Sequence, residues 1–241
     1  MFLSNSKLGE VVKSQVKFKL NAYMGTIVTL IFVQLLGLLF SMNGTGTRGV
    51  NIDMSTVYVS VVSYDIIFIF VALWAFVIGN SITTKANDDF SFVTTRLSSN
   101  LANIIFLCLI SVFAGVTIVL SNYLLRIILL LFGDQNYMEN PSIFDASLNS
   151  IISMVIMIIL ILIVSAVGYL RGILVQHNKI FSILLPFLIF VLLVTKSGQS
   201  VIQYIFIENT SMVVLVVKLI CLSGVVFIFA ILCSNRLGVR S

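Results

Sequence analysis

Three ionisable residues, Asp65, Arg126 and Lys218, stand within stretches of sequence that are otherwise apolar. An isolated charge in hydrocarbon is costly, so such residues either neutralise one another inside a helix bundle or face a watery path for cargo or ions. Asp65 lies eight residues into an apolar run that starts at Val57, about 12 Å along a helix rising 1.5 Å per residue. Lys218 lies six residues into a run that starts at Met212, and Arg126 is near the outer end of the run between them. These depths make Asp65 and Arg126 the expected pair. They leave Lys218 to snorkel outward along its own stem or to contact cargo.

A second group falls in the polar stretch Asn80 to Asn100, where Asp88 and Asp89 precede Phe90 and Phe92, and Arg96 follows. Acids at the start and a base near the end complement a helix dipole, which predicts a short helix. Phe90, Val93 and Leu97 share one face of it, and Phe92 and Arg96, four residues apart, share another. An aromatic beside a base can dock into a partner. The alternative is a capped connector with Phe92 packed on its own chain.

Other patterns carry less. Gly44-Thr45-Gly46-Thr47-Arg48-Gly49 satisfies G-x-G-x-x-G, but dinucleotide binding needs a strand before it and a soluble helix after it, so a flexible external turn is expected. Gly168 and Gly172 form one G-x-x-x-G, a spacing that permits close helix contact. Cys108, Cys221 and Cys233 fit neither a metal nor a disulfide framework and read as buried apolar fillers. His177 is the single histidine, and there is no H-E-x-x-H, G-x-S-x-G or G-x-x-x-x-G-K-[ST]. No catalytic residue, cofactor or metal ligand is expected, and any ATP-driven work needs a nucleotide-binding partner.

The elements that position these residues follow from composition. Of the 241 residues 59% are hydrophobic and only 10% charged, against roughly 25% charged in soluble domains. That excludes a soluble globule, a disordered chain and a nucleic-acid binder, whose bases would cluster on a water-facing module. A spanning helix needs roughly 20 apolar residues. Six runs qualify, approximately Leu20 to Ser41, Val57 to Gly79, Leu101 to Ser121 with an extension to Gly133, Ile151 to Leu170, Ile180 to Thr195, and Met212 to Cys233. The expected fold is an all-α integral membrane protein of six transmembrane helices, a single domain over residues 1–241. The fifth run is short and contains Pro186, which is expected to kink it.

Ten of the fourteen bases, Lys7, Lys13, Lys17, Lys19, Lys85, Arg96, Arg171, Lys179, Arg236 and Arg240, fall on one side of this topology. Only Arg48 and Lys196 face the other side, with Asp53, Asp134, Glu139, Asp145 and Glu208. The positive-inside rule then places both termini in the cytoplasm, in a multi-pass protein of the cell membrane. The basic segment before the first run is too long for a signal peptide, and Phe40-Ser41-Met42-Asn43 offers no cleavage site, so the first span is expected to be retained. Residues 6–23 read as an interfacial amphipathic helix on membrane lipid, with Leu8, Val11, Val12, Val16 and Tyr23 on its apolar face and Gln15 and Lys19 intruding on that face.

Six spans with both ends inside, a basic interfacial helix, and the stretch Asp88-Asp89-Phe90-Ser91-Phe92-Val93-Thr94-Thr95-Arg96 between the second and third spans resemble the membrane subunits of ABC-2 type transporters of Gram-positive bacteria. The architecture of the whole chain shares in the resemblance; its sequence-specific part is confined to residues 80–100. It implies a homo- or heterodimeric permease, pairing with a second copy or a paralogue. The helix Asp88 to Asn100 would dock into a separate ATP-binding cassette subunit, braced by the initial amphipathic helix, and residues 197–211 would form outer re-entrant helices. The chain departs from the family in its small external loops. The function so implied is export of amphipathic or hydrophobic cargo, such as a peptide, lipid or antibiotic, with no covalent chemistry in this chain. Rival readings are an ion-gradient-driven secondary transporter with Asp65 as coupling carboxylate, and a non-transporting immunity or sensor subunit. Six spans without an internal repeat are few for the former.

Overall fold

The computed structural model describes residues 8–43, 45–52, 55–62, 65–84, 96–132, 147–206 and 211–237. The chain is a multi-pass membrane protein. Among the described residues, five helical stretches are long and apolar enough to cross a bilayer: Met24–Met42, Ile66–Thr83, Ser98–Leu125, Met154–His177 and Val213–Asn235. Burial is inverted relative to a soluble protein, since Val28, Phe32 and Leu39 point outward while Gln34, Asn100, Asn103 and Ser165 lie inside. Hydrocarbon accommodates the former at no cost, and the bundle interior supplies the latter with partners.

In chain order the elements are α1 (Leu8–Ala22), α2 (Met24–Asn43), β1 (Thr45–Ile52), β2 (Ser55–Val62), α3 (Asp65–Thr84), α4 (Arg96–Phe132), α5 (Ser147–His177), α6 (Phe181–Val194), α7 (Lys196–Phe206) and α8 (Met212–Leu237). The chain is mainly helical as expected from sequence, with five of the six expected spans long enough among the described residues, and residues 45–62 depart from the helical pattern. Residues 45–62 form an antiparallel ribbon whose register runs from Thr45 opposite Val62 to Ile52 opposite Ser55. Val57 to Val62, expected to open the second span, are therefore strand. Ser-Thr-Val-Tyr-Val-Ser-Val-Val is rich in β-branched and aromatic residues, and an apolar run alone does not distinguish strand from helix. The glycine motif is not a flexible turn: Gly46 and Gly49 lie within β1, opposite Val61 and Tyr58.

Side-chain contacts fix the helix directions. Gln34 bonds Thr117, and Tyr23 packs on Phe106 with ring centroids 5.3 Å apart, so α2 runs parallel to α4. Trp74 donates to Thr29 at 3.0 Å, and Gly37, further along α2, lies against the earlier residue Ile67, which sets α3 antiparallel to α2. The α3–α5 pair is the most extensive in the bundle and is parallel. Its seam is built from small residues: a Cβ on Gly168 would lie 2.2 Å from the Phe76 carbonyl, one on Gly79 2.1 Å from the Ser165 carbonyl, and one on Gly172 1.8 Å from Thr83 Oγ1. The single G-x-x-x-G of the sequence is thus a real close approach, extended on α5 by Ser165.

The fifth apolar run forms α6, whose 14 residues reach about 21 Å, short of the roughly 30 Å hydrocarbon core. The path nevertheless changes ends here. The start of α6 bonds the last turns of α5 through Ser182 and Arg171, and the end of α8 returns to the same level, where Ser234 bonds Asn100. Between them the chain passes from the α1 end of the bundle to the opposite end through α6, an extended Thr195 and α7. Gly198 is required at that corner, because a Cβ would lie 1.9 Å from the Leu192 carbonyl.

Candidate functional site

The stretch proposed to dock a partner lies between the end of α3 and the start of α4. Asp88, Asp89, Phe90 and Phe92 fall outside the described residues, and Arg96 is the first residue of α4 with its side chain outside them. What is described is how both anchors of the stretch are held. At the α3 anchor, Asn80 Oδ1 accepts from Arg171 Nη1 at 3.0 Å, Thr83 Oγ1 donates to the Asn80 carbonyl at 2.7 Å, and Gln176 Nε2 donates to the Thr83 carbonyl. At the α4 anchor, Tyr169 Oη donates to Asn100 Oδ1 at 2.9 Å and accepts from Asn103 Nδ2 at 3.3 Å, while Asn100 Nδ2 donates to Ser234 Oγ at 3.2 Å. Tyr169, Arg171 and Gln176 all belong to the last turns of α5. One helix end thereby grips both sides of the stretch and, through Asn100, the end of α8.

Arg171 was expected in a loop between spans. Instead α5 continues to His177, and Arg171 lies half-buried inside the apolar stretch Met154–His177. Its Nη2 donates to Ser182 Oγ at 2.9 Å and to the Ser182 carbonyl at 3.3 Å, and its guanidinium lies 5.8 Å from the Phe76 ring centre. The Ser182 carbonyl is open to it for a local reason. Its helical donor four residues on would be residue 186, and Pro186 has no N–H. The sequence signal for a longer α5 was present in Ile173, Leu174 and Val175, which continue the apolar run past the charge.

The initial helix buries the expected face apart from Leu8, with Gln15 and Lys19 on it. Its buried stripe is Val12, Gln15 and Lys19, while Leu8, Phe18 and Leu20 are exposed. Packing against α4, not an apolar face laid on the membrane, decides what is buried. Neither polar atom of the Gln15 side chain has a partner. Unpartnered buried polar groups cost about 1–3 kcal/mol, so Gln15→Leu is expected to stabilise α1 on α4 and raise the apparent melting temperature of the purified protein by a few degrees. An unchanged or lower melting temperature would count against a dry α1–α4 contact.

Of the three expected intramembrane charges, Lys218 is the one whose side chain is among the described residues. Asp65 is the first residue of α3, just outside the apolar stretch Ile66–Thr83, not eight residues deep. An acid is favoured in a first turn by the helix dipole. Arg126 lies one residue beyond the stretch Ser98–Leu125. Both backbones are at the bundle end opposite α1, and their side chains, with the pairing, lie outside the described residues. Lys218 is within its span, where Nζ donates to the Tyr204 carbonyl at 3.3 Å and sits 4.9 Å from the Tyr204 ring centre. It therefore reaches the last carbonyls of α7, where a cation complements the dipole. Cys221 is exposed, not a buried filler, while Cys108 and Cys233 are partly buried.

Chemically, the network around Tyr169 consists of amides, hydroxyls, a phenol and one guanidinium. Such groups exchange hydrogen bonds and fix helix register. Among the described residues no three of His, Cys, Asp and Glu gather as a metal site. No family model, curated protein or solved structure matches this chain.

Proposed function

We propose that this chain is the permease subunit of an ABC-2 type exporter, with six membrane crossings, both termini cytoplasmic, and a separate ATP-binding cassette subunit docking on residues 80–100. It works as a dimer with a second copy or a paralogue and moves amphipathic or hydrophobic cargo. The observation that carries this reading is the double anchorage of the docking stretch. The chain leaves α3 and enters α4 at points that both bond to the last turns of α5, so a push on residues 85–95 acts on α3, α4, α5 and α8 together. A loop that merely connected spans would not need that bracing.

Two further observations support the topology. The passage of α6 and α7 between bundle ends is compatible with a sixth crossing, which α6 alone is too short to make. The bases Lys13, Lys17, Arg171 and Lys179 belong to the α1 end, the end the positive-inside rule assigns to the cytoplasm. The secondary-transporter reading has less support, because none of the five apolar stretches among the described residues contains Asp or Glu.

Copurification from the native membrane tests the proposal. An ATP-binding protein is expected to accompany the wild-type chain and to be lost, by about tenfold or more, with Phe92→Ala or Arg96→Glu, as for removal of a central interface anchor. An ATP-binding partner retained equally by both variants would overturn the docking site. A wild-type chain that brings none would favour the immunity or sensor reading.

A further inference from the structure

The corner formed by α3, α5 and the start of α6 holds a charge that its surroundings do not balance. Every described group that touches the Arg171 guanidinium is neutral: Asn80 Oδ1, the Ser182 hydroxyl and carbonyl, and the Phe76 ring. These contacts orient the fork and leave its full positive charge in place. Its Nε is buried without a partner, so the guanidinium is not saturated by the protein. A half-buried cation at the edge of an apolar stretch calls for an anion nearby.

The surface next to it indicates which anion. The three-residue turn between α5 and α6 carries exposed Lys179, and beside it Ile180 and Ile183 are 65% and 79% exposed. Large aliphatic side chains that exposed suit acyl chains, while the adjacent ammonium suits the headgroup level. The turn thus sits at the boundary where phosphates lie. The amides of the α6 start are already used: Phe181, Ser182 and Ile183 donate to the carbonyls of Asn178, Lys179 and Ile180, and Ile180 donates to Asn178 Oδ1. Anion recognition must therefore come from the side chains of Arg171 and Lys179, with Ile180 and Ile183 holding the tails.

We propose that this corner binds the phosphodiester of an anionic phospholipid, with Arg171 and Lys179 as the cationic contacts. A zwitterionic lipid carries its own ammonium and neutralises the pair less well. Through Asn80, Arg171 also belongs to the α3 anchor, so a lipid seated here would set the position from which the docking stretch departs. That consequence rests on the proposed function; the lipid site itself does not.

The test uses the full chain in nanodiscs and detergent. The protein is purified, and retained lipid is quantified by native mass spectrometry after exchange into equal mixtures of phosphatidylglycerol and phosphatidylcholine. Preferential retention of phosphatidylglycerol is expected, falling about fivefold with Lys179→Gln, as for one basic residue at an anionic surface. Arg171→Gln is expected to reduce it further and Arg171→Lys to restore part of it. Lys179 is exposed and its substitution leaves the packing intact, so that variant decides the matter even if Arg171→Gln fails to fold. Equal retention of the two lipids, no change with Lys179→Gln, or displacement of the lipid by inorganic phosphate alone would each overturn the proposal. Copurification of the ATP-binding partner is scored in parallel, so a failed lipid site and a failed docking site give separate outcomes.

Discussion

Gly168→Ala is expected to impair folding of this protein far more than a glycine-to-alanine change elsewhere in its helices, and Gly168→Leu to abolish recovery of a monodisperse species. The reason is what the new Cβ would meet. At Gly168 it would lie 2.2 Å from the Phe76 carbonyl oxygen and 3.1 Å from its Cα, and at Gly79 it would lie 2.1 Å from the Ser165 carbonyl oxygen. These are backbone atoms of facing helices, so no rotamer change relieves them and α3 must separate from α5. Overpacking of this kind costs about 1–3 kcal/mol, occasionally more, and here it strikes the most extensive helix pair in the bundle. Gly25 and Gly224 are internal controls. Nothing lies within 4 Å of a Cβ at either, so alanine there should be neutral or stabilise by about 0.5–1 kcal/mol. Gly172 separates the two kinds of clash. Its nearest neighbour is the Thr83 side chain, at 1.8 Å, so Gly172→Ala should be partly rescued by Thr83→Ala, whereas no α3 side-chain truncation should rescue Gly168→Ala. Size-exclusion profiles and thermal melts of the purified variants read this directly. A Gly168→Ala protein as stable as Gly25→Ala would mean that the α3–α5 seam is not as close as described.

How much of this was legible in the sequence depends on what each residue's environment required. The long apolar runs mark α2, α4 and α8 nearly in full and the middle of α5, because only a helix satisfies a single segment's backbone inside lipid. The start of α3 was misplaced because Val57 to Val62 are as apolar as the helix that follows, and hydropathy does not register β-branching. Arg171 was assigned to a loop because a charge normally closes a span. Its acceptors, Asn80 and Ser182, come from elements distant in sequence, and the carbonyl freed by Pro186 was not visible as a partner. The face of α1 is the expected one apart from Leu8, with Gln15 and Lys19 on it, but what that face meets is not encoded locally. The stripe Val12, Gln15, Lys19 is buried by contact with α4, an element distant in sequence. The seam at Gly168 and Gly172 was present as a motif, but only the facing Gly79 and Phe76 turn a common spacing into a close approach. The grip of α5 on both ends of residues 80–100 joins positions dozens of residues apart, which no local pattern encodes.

Tyr169 is the point where that grip can be loosened with the helices still in place. It is 1% exposed, and its hydroxyl ties α5 to Asn100 and Asn103 of α4, with Asn100 passing the connection to Ser234 of α8. Tyr169→Ala removes a large buried ring as well, so a loss of about 3–5 kcal/mol and poor recovery are expected. Tyr169→Phe keeps the ring and removes only the hydroxyl. Asn103 Oδ1 already lacks a partner, and losing the phenol leaves its amide without the acceptor it has. Two magnitudes compete here. Buried polar groups left unmade cost about 1–3 kcal/mol, while side-chain hydrogen bonds between membrane helices average only about 0.6 kcal/mol, with an upper value near 1.7. Because Asn100 and Asn103 are only 6% and 5% exposed, little lipid or water can replace the phenol, and the effect should lie near the upper membrane value. The fold survives that loss, so under the proposed function Tyr169→Phe should still bring down an ATP-binding partner while uncoupling its ATPase from cargo. Asn100→Leu combined with Tyr169→Phe should cost less than the sum of the two single changes, since the pair removes donor and acceptor together. Strictly additive losses would show that Tyr169 and Asn100 act apart. A Tyr169→Phe protein that retains both stability and cargo-stimulated ATPase would show that displacement of residues 80–100 reaches the bundle by another route.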